Sequence, residues 1–215
     1  NRFTECWVPD YESENNLAGD LSHPTLKPTT PLKYIGALTR IKDKAVVKKE
    51  KHIAVILSGP EPQRSILEEK IIKDIGHYNH TATVVRGLPG SASLIPSTGM
   101  IKFYNHLPSA ELNTAMLEAE YIISRTGYST VMDIMALQKK SILVPTPGQT
   151  EQEYLGNFLM EKGLSVCVEQ KEFSLAKAMS AAFDFDYKIQ AATNDTLLTK
   201  NIQRFLSQSF TPAFG

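Results

Sequence analysis

At 215 residues the chain can form one full domain, or one domain plus a fragment of another. Its 23 Lys and Arg balance 23 Asp and Glu, so it lacks the basic excess of a nucleic-acid-binding surface, and its longest apolar runs, about five residues, fall far short of the roughly 20 that span a bilayer. Cys6 and Cys167 have neither metal-ligand nor redox spacing, which points to a reducing, cytosolic setting.

The chain opens on Asn1 with an apolar element almost at once and no signal peptide; we read it as a piece excised from a longer protein. Residues 3–8 form a candidate strand closed by Pro9-Asp10. Residues 11–32 are irregular, with Glu12, Glu14, Asn15-Asn16, Gly19 and prolines at 24, 28 and 31, a density that marks a linker or long excursion. Residues 34–38 are a short apolar element, and the lysine-rich residues 42–51 a solvated loop.

Residues 52–57 are the clearest buried strand, β-branched and bounded by Ser58-Gly59-Pro60. A helix follows, with Pro62 in its first turn, Ile66, Leu67, Ile71, Ile72 and Ile75 at helical spacing, and Gly76 to stop it. Strands are expected at 81–86 and 100–104, separated by a Gly/Pro/Ser-rich loop, then a helix through Leu117 with Ser109 as its cap. The run Tyr121-Ile122-Ile123 ends at Ser124-Arg125-Thr126-Gly127 and feeds a helix carrying Val131, Ile134 and Met135. A second run, Ile142-Leu143-Val144, ends at Pro145-Thr146-Pro147-Gly148 and feeds another helix from Glu151. A strand at 164–168 and helices near 173–182 and 196–206 complete the series. Alternating strand and helix is the grammar of a Rossmann-like α/β fold, a parallel sheet with helices on both faces. Such sheets bind ligands beyond the carboxyl ends of their strands.

Several groups there invite chemistry, each beside a plainer reading. Ser58 and Gly59 open a helix whose start favours phosphate, yet Pro60 and Pro62 remove two donors, and a structural turn fits as well. Arg125, Thr126, Gly127, Ser129 and Thr130 surround another helix start. Asp133 shares a face with Thr130, where it can bridge ribose hydroxyls or merely complement the helix terminus. Thr150 and Glu153 fit a capping box; Gln149, Glu151 and Gln152 beside them suit the reading of sugar hydroxyls. Phe103 and Tyr104 are core aromatics by default and base-stacking groups only beside a nucleotide. Asp184-Phe185-Asp186 spells a D-x-D, which we discount as chance.

These loops resemble the donor-binding half of the GT-B glycosyltransferases, and most closely the bacterial peptidoglycan enzymes that add N-acetylglucosamine to a lipid-linked intermediate. The resemblance covers roughly residues 34–170 and is strongest over 103–157. It implies that Phe103-Tyr104 cradle uracil. It makes Arg125-Thr126-Gly127-Tyr128-Ser129-Thr130 the diphosphate and ribose motif, with Asp133 at a position that is Glu in the family. Gln152-Glu153 stand where the family reads the donor sugar with two glutamines. The family's glycine-rich turn is here Ser58-Gly59-Pro60-Glu61-Pro62.

The resemblance further implies a division into a remnant of an N-terminal domain (1–10), an interdomain connection (11–40), a donor-nucleotide domain (41–207) and a tail (208–215). It implies a UDP-sugar ligand, transfer of a hexosyl group without metal or other cofactor, and a separate N-terminal acceptor domain holding the catalytic base, with peripheral contact to the inner face of the membrane through that domain. Trp7 and Phe210 would then be left without partners. Two alternatives remain: a non-hydrolysing nucleotide-sugar epimerase, for which His106 is the nearby histidine, and a donor-binding subunit that needs a separate acceptor-binding partner.

Overall fold

A computed structural model describes residues 3–39, 41, 47–189 and 196–209. In chain order the elements are β1 (Cys6–Val8), a 3-10 turn (Gly19–Leu21), β2 (Leu32–Tyr34), β3 (Ile53–Ile56), α1 (Gln63–Ile75), β4 (Ala82–Val85), β5 (Ile101–Tyr104), α2 (Ser109–Glu118), β6 (Tyr121–Ser124), α3 (Tyr128–Ala136), β7 (Lys140–Leu143), α4 (Thr150–Glu161), β8 (Val166–Cys167), α5 (Leu175–Asp184) and α6 (Thr196–Ser209).

Ile53, Ala54 and Val55 of β3 are buried and Ile56 half-buried, and the strand occupies the place such a run requires, the middle of a parallel sheet. Six strands run parallel in the order β5-β4-β3-β6-β7-β8, with Val55 opposite both Val84 and Ile123. Side chains alternate across the sheet. Ile53, Val55, Tyr121, Ile123 and Ile142 meet Leu67, Ile71 and Ile75 of α1 and Leu175, Ala178 and Met179 of α5. Ala54, Ile122 and Leu143 meet Met116 of α2, Val131 and Ile134 of α3, and Leu155 and Leu159 of α4. Each fully buried branched side chain contributes about 1.5–3 kcal/mol, so the two helical layers fix the sheet from both sides. Among the described residues no helix is long and apolar enough to cross a membrane.

A second, two-stranded parallel sheet joins β1 to β2, with Trp7 opposite Lys33. The apolar element expected at 34–38 is therefore shifted, because the ladder is formed by residues 32–34. Trp7 has a partner: its ring meets Phe205 of α6 edge-on, centroids 6.0 Å apart, and Arg204 holds Glu5 at 2.9 Å. Phe210 lies outside the described residues, as do residues 42–46 of the lysine-rich loop. Ser109 and Thr150 do not cap their helices: Pro108 and Gln149 hold the cap positions, without a side-chain cap bond. Ser174 does cap α5, accepting from Lys177 N.

Candidate functional site

Sheet order puts β3 and β6 side by side at the centre, with the chain continuing outward from β3 to β4 on one side and from β6 to β7 on the other. This is the switch point where a crevice opens beyond the strand ends. Residues 57–62 leave β3, residues 125–127 leave β6 and residues 144–149 leave β7. The three loops converge: a Cβ on Gly59 would lie 3.6 Å from Thr146 Oγ1, and one on Gly156 of α4 would lie 3.1 Å from Pro145 and 3.6 Å from Thr126 Oγ1. Only glycine lets α4 come this close to the β8 edge, since the same Cβ would sit 2.5 Å from Cys167 Sγ.

Alternation from Tyr121 and Ile123 carries Arg125 to the α1/α5 side. Its side chain is 2 % exposed and donates to Val144 O and Pro145 O at 3.2 Å, Gln63 O at 2.6 Å and Gln170 Oε1 at 2.5 Å. Gln170 in turn donates to Gln63 Oε1 at 2.6 Å. The guanidinium therefore ties together the loops after β3, β6, β7 and β8. Among the described residues no carboxylate pairs with it, and burial lowers its pKa to about 10, so it stays cationic at neutral pH.

Around this cation, Arg125 Nε, Thr126 Oγ1 and Thr146 Oγ1 are buried without a hydrogen-bond partner among the described residues. Such atoms cost about 1–3 kcal/mol each unless a water or ligand atom satisfies them. The helix beyond, α3, starts at Gly127 with no side-chain cap. Among the described residues nothing lies within 4 Å of a Cβ placed on Gly127, so the space beside the cap is open. Ser129 is exposed and Thr130 half-buried in that first turn.

The start of α1 differs. Glu61 accepts from Ser65 N at 3.1 Å and from Arg64 Nε at 2.5 Å, and the Ser65 side chain, then Arg64, hold its pKa below the usual value. Behind it, Arg64 and Arg86 share the buried carboxylate of Glu68. An anionic group of the protein already occupies this terminus; Ser58 and Gly59 are exposed beside it.

In the β7–α4 loop, Gln152 Oε1 accepts from Thr146 N at 3.0 Å, Gln152 Nε2 donates to Gln149 Oε1 at 2.5 Å, and Glu153 Oε1 accepts from Gly148 N at 3.0 Å. The expected capping box is thus replaced: Glu153 reaches back to Gly148 instead of Thr150, and Gln149 and Gln152 bond each other. Glu151 is exposed. Asp133 is buried, at 7 % exposure, and accepts from Thr39 Oγ1 at 2.7 Å, which ties α3 to the segment after β2.

Phe103 and Tyr104 lie three strands from β6, about 14 Å at the usual spacing. Phe103 packs on the α1/α5 core. Tyr104, on the other face, lines a cavity of about 440 Å³ with His52, Lys102 and Glu111. His106 is exposed just beyond β5. Three contributors went unnoticed in the sequence: Gln63, Thr146 and Gln170. Each stands just beyond a strand end or at a helix start, so the rule that flagged Arg125 could have found them.

Comparison with known proteins places this geometry. The model of the "Glycosyltransferase family 28 C-terminal domain" matches residues 49–207. A UDP-N-acetylglucosamine--N-acetylmuramyl-(pentapeptide) pyrophosphoryl-undecaprenol N-acetylglucosamine transferase of Desulforudis audaxviator (strain MP104C) is 31% identical over 119 residues, 53% of this chain and 31% of the relative. The enzyme of the same name from Clostridium perfringens (strain SM101 / Type A) is 23% identical over 158 residues, 71% of this chain and 44% of its own. The chain thus spans less than half the length of these relatives. Among solved structures, the calicheamicin glycosyltransferase CalG4 superposes with a TM-score of 0.63 at 12% identity, over 84% of this chain and 49% of CalG4.

Proposed function

Because this chain belongs to the glycosyltransferase family 28 C-terminal domains, we propose that it is the donor-binding half of a hexosyltransferase and that the start of α3 takes the diphosphate of a UDP-sugar. The observation that carries the reading is the uncapped N-terminus of α3 beside a buried guanidinium and two threonine hydroxyls; among the described residues the guanidinium has no carboxylate and the hydroxyls no hydrogen-bond partner. Helix N–H groups and the dipole favour an anion there, and the Arg125 charge adds to the field in a site of low dielectric.

The nucleotide comes from the relatives, whose names state UDP-N-acetylglucosamine as donor. Phosphates at Gly127 and a uracil near Phe103 and Tyr104 use the separation of β5 from β6. The ribose then lies between them, where Asp133 reaches it by exchanging or sharing the bond it accepts from Thr39. Gln149, Gln152 and Glu153 meet the hexose by exchanging or sharing the bonds they make within their own loop, and Glu153 in place of a glutamine makes that site more acidic. In transfer, an acceptor oxygen bonds to C1 and gives up its proton to a base, while the C1–O bond to the diphosphate breaks and its electron pair leaves with UDP. The α3 N–H groups and Arg125 stabilise that developing charge. The acceptor and the base that deprotonates it belong to a further domain or partner subunit, so the isolated chain binds donor without transferring it.

Calorimetric titration with UDP, ADP, GDP and NAD tests the reading. Tight binding of UDP alone is expected; equal affinities, or no binding of UDP, would remove it. Sugar release without any added acceptor domain, but dependent on acceptor, would place the base inside this chain.

A further inference from the structure

The Pro- and polar-rich segment after β1 is folded around one carboxylate. Asp10 is fully buried and accepts from Tyr11 N and Leu17 N at 2.8 Å, Ala18 N at 3.1 Å and Ser22 Oγ at 2.6 Å. Four donors replace the water that a buried carboxylate would otherwise need, and they close residues 10–22 into a loop with Leu17 and Ala18 buried in the core beside α3 and α4.

Both ends of this loop are pinned beside the proposed ligand loops. Tyr128, the first residue of α3, donates its hydroxyl to Pro9 O at 2.8 Å. Asp20 N donates to Tyr154 OH at 2.8 Å; Tyr154 is two residues beyond Gln152. Gly19 sits at φ +52, and a Cβ there would collide with the Tyr154 hydroxyl and come within 2.9 Å of the Phe158 ring. The loop therefore spans from the start of α3 to the first turns of α4, and at Gly19 it touches α4 with no room to spare.

We propose that this Asp10-centred loop is a clamp that sets the spacing between the start of α3 and the start of α4, making Asp10, Gly19 and Tyr154 positioning residues for recognition of the nucleotide sugar. The inference rests on the donor-binding reading above. UDP needs only the α3 side, whereas a UDP-sugar must meet α3 through its diphosphate and α4 through its hexose. Loosening the clamp changes the distance between the two, and only the ligand that bridges them is affected. A loop with a purely structural role would weaken both ligands alike.

The test measures dissociation constants for UDP and for UDP-N-acetylglucosamine on the 215-residue chain and its Gly19→Ala and Tyr154→Phe variants. Misplacement by a fraction of an ångström is expected to weaken the UDP-sugar about tenfold in Gly19→Ala, with UDP within about twofold. Tyr154→Phe, which loses only the acceptor of the Asp20 N–H, should shift the ratio in the same direction by less, and it carries the test if Gly19→Ala does not fold. A UDP-sugar to UDP ratio unchanged in the folded variants would overturn the clamp. Absence of UDP binding by the wild-type chain would instead remove the donor reading, and the clamp's role with it.

Discussion

Two helices start side by side at the centre of this sheet, and they treat their N-termini in opposite ways. The start of α1 is closed by the chain itself: Pro60 and Pro62 lack N–H groups, and Glu61 takes up Ser65 N and the Arg64 guanidinium. The start of α3 is left open, with glycine at its cap, a buried cation behind it and two buried hydroxyls that lack partners among the described residues. The topology offers both termini to a ligand, but the side chains offer only one. A fold of this kind says where a site can be; the local filling of each helix start is what favours α3 in the proposed reading.

Arg125 joins the two starts, since it belongs to the β6 loop and donates to the carbonyl of Gln63 in the first turn of α1. Its removal should have the largest effect. Arg125→Ala leaves four carbonyl or amide acceptors without their donor and should cost about 3 kcal/mol or more of stability, read from urea unfolding. Arg125→Lys should recover little of it, because one ammonium cannot reach four acceptors set for a planar fork. A loss below 1 kcal/mol (about the value of one ordinary bond) would mean that the four loops hold one another without it.

The difference between the starts can be erased on purpose. Gly127 has φ −76 and ψ 130, a conformation open to any residue, so Gly127→Asp places on α3 the kind of carboxylate that Glu61 places on α1. The variant should melt slightly higher, by a few tenths of a kcal/mol for the new cap, and lose about 1.5–3 kcal/mol of UDP affinity, the range for hydrogen bonds to a charged group. If affinity survives, the diphosphate lies elsewhere. The reciprocal change has the smallest expected effect: Glu61→Ala opens α1, whose prolines still deny it donors, so UDP affinity should stay as it was. A marked change in calorimetry would show that the β3 loop shares the phosphate.

Much of this is legible in the sequence alone. The β-branched runs of β3, β6 and β7 and the spacing of Ile71 and Ile75 or Val131 and Ile134 define a parallel α/β sheet with little ambiguity, and the loop after each strand followed as candidate site. What failed was finer. Ser109 and Thr150 look like caps, yet the preceding Pro108 and Gln149 take the extended conformation a cap needs. Arg125 reads as a phosphate ligand in sequence, and nothing local shows that its guanidinium also donates to carbonyl and amide oxygens of three other loops. Residues 11–32 read as a loose connection because composition cannot reveal that Asp10 gathers Leu17, Ala18 and Ser22, or that Asp20 meets Tyr154 from 134 positions away. Partnerships of that range belong to the fold, not to any local pattern.

The most direct measurement follows backbone amide resonances while UDP is added to isotopically labelled protein. The account predicts that Gly127, Tyr128, Ser129 and Thr130 at the start of α3 shift strongly and saturate together, while Gly59, Gln63 and Arg64 at the start of α1 stay nearly still. Large shifts at Gly59 and Gln63 with Gly127 and Ser129 unmoved would contradict it.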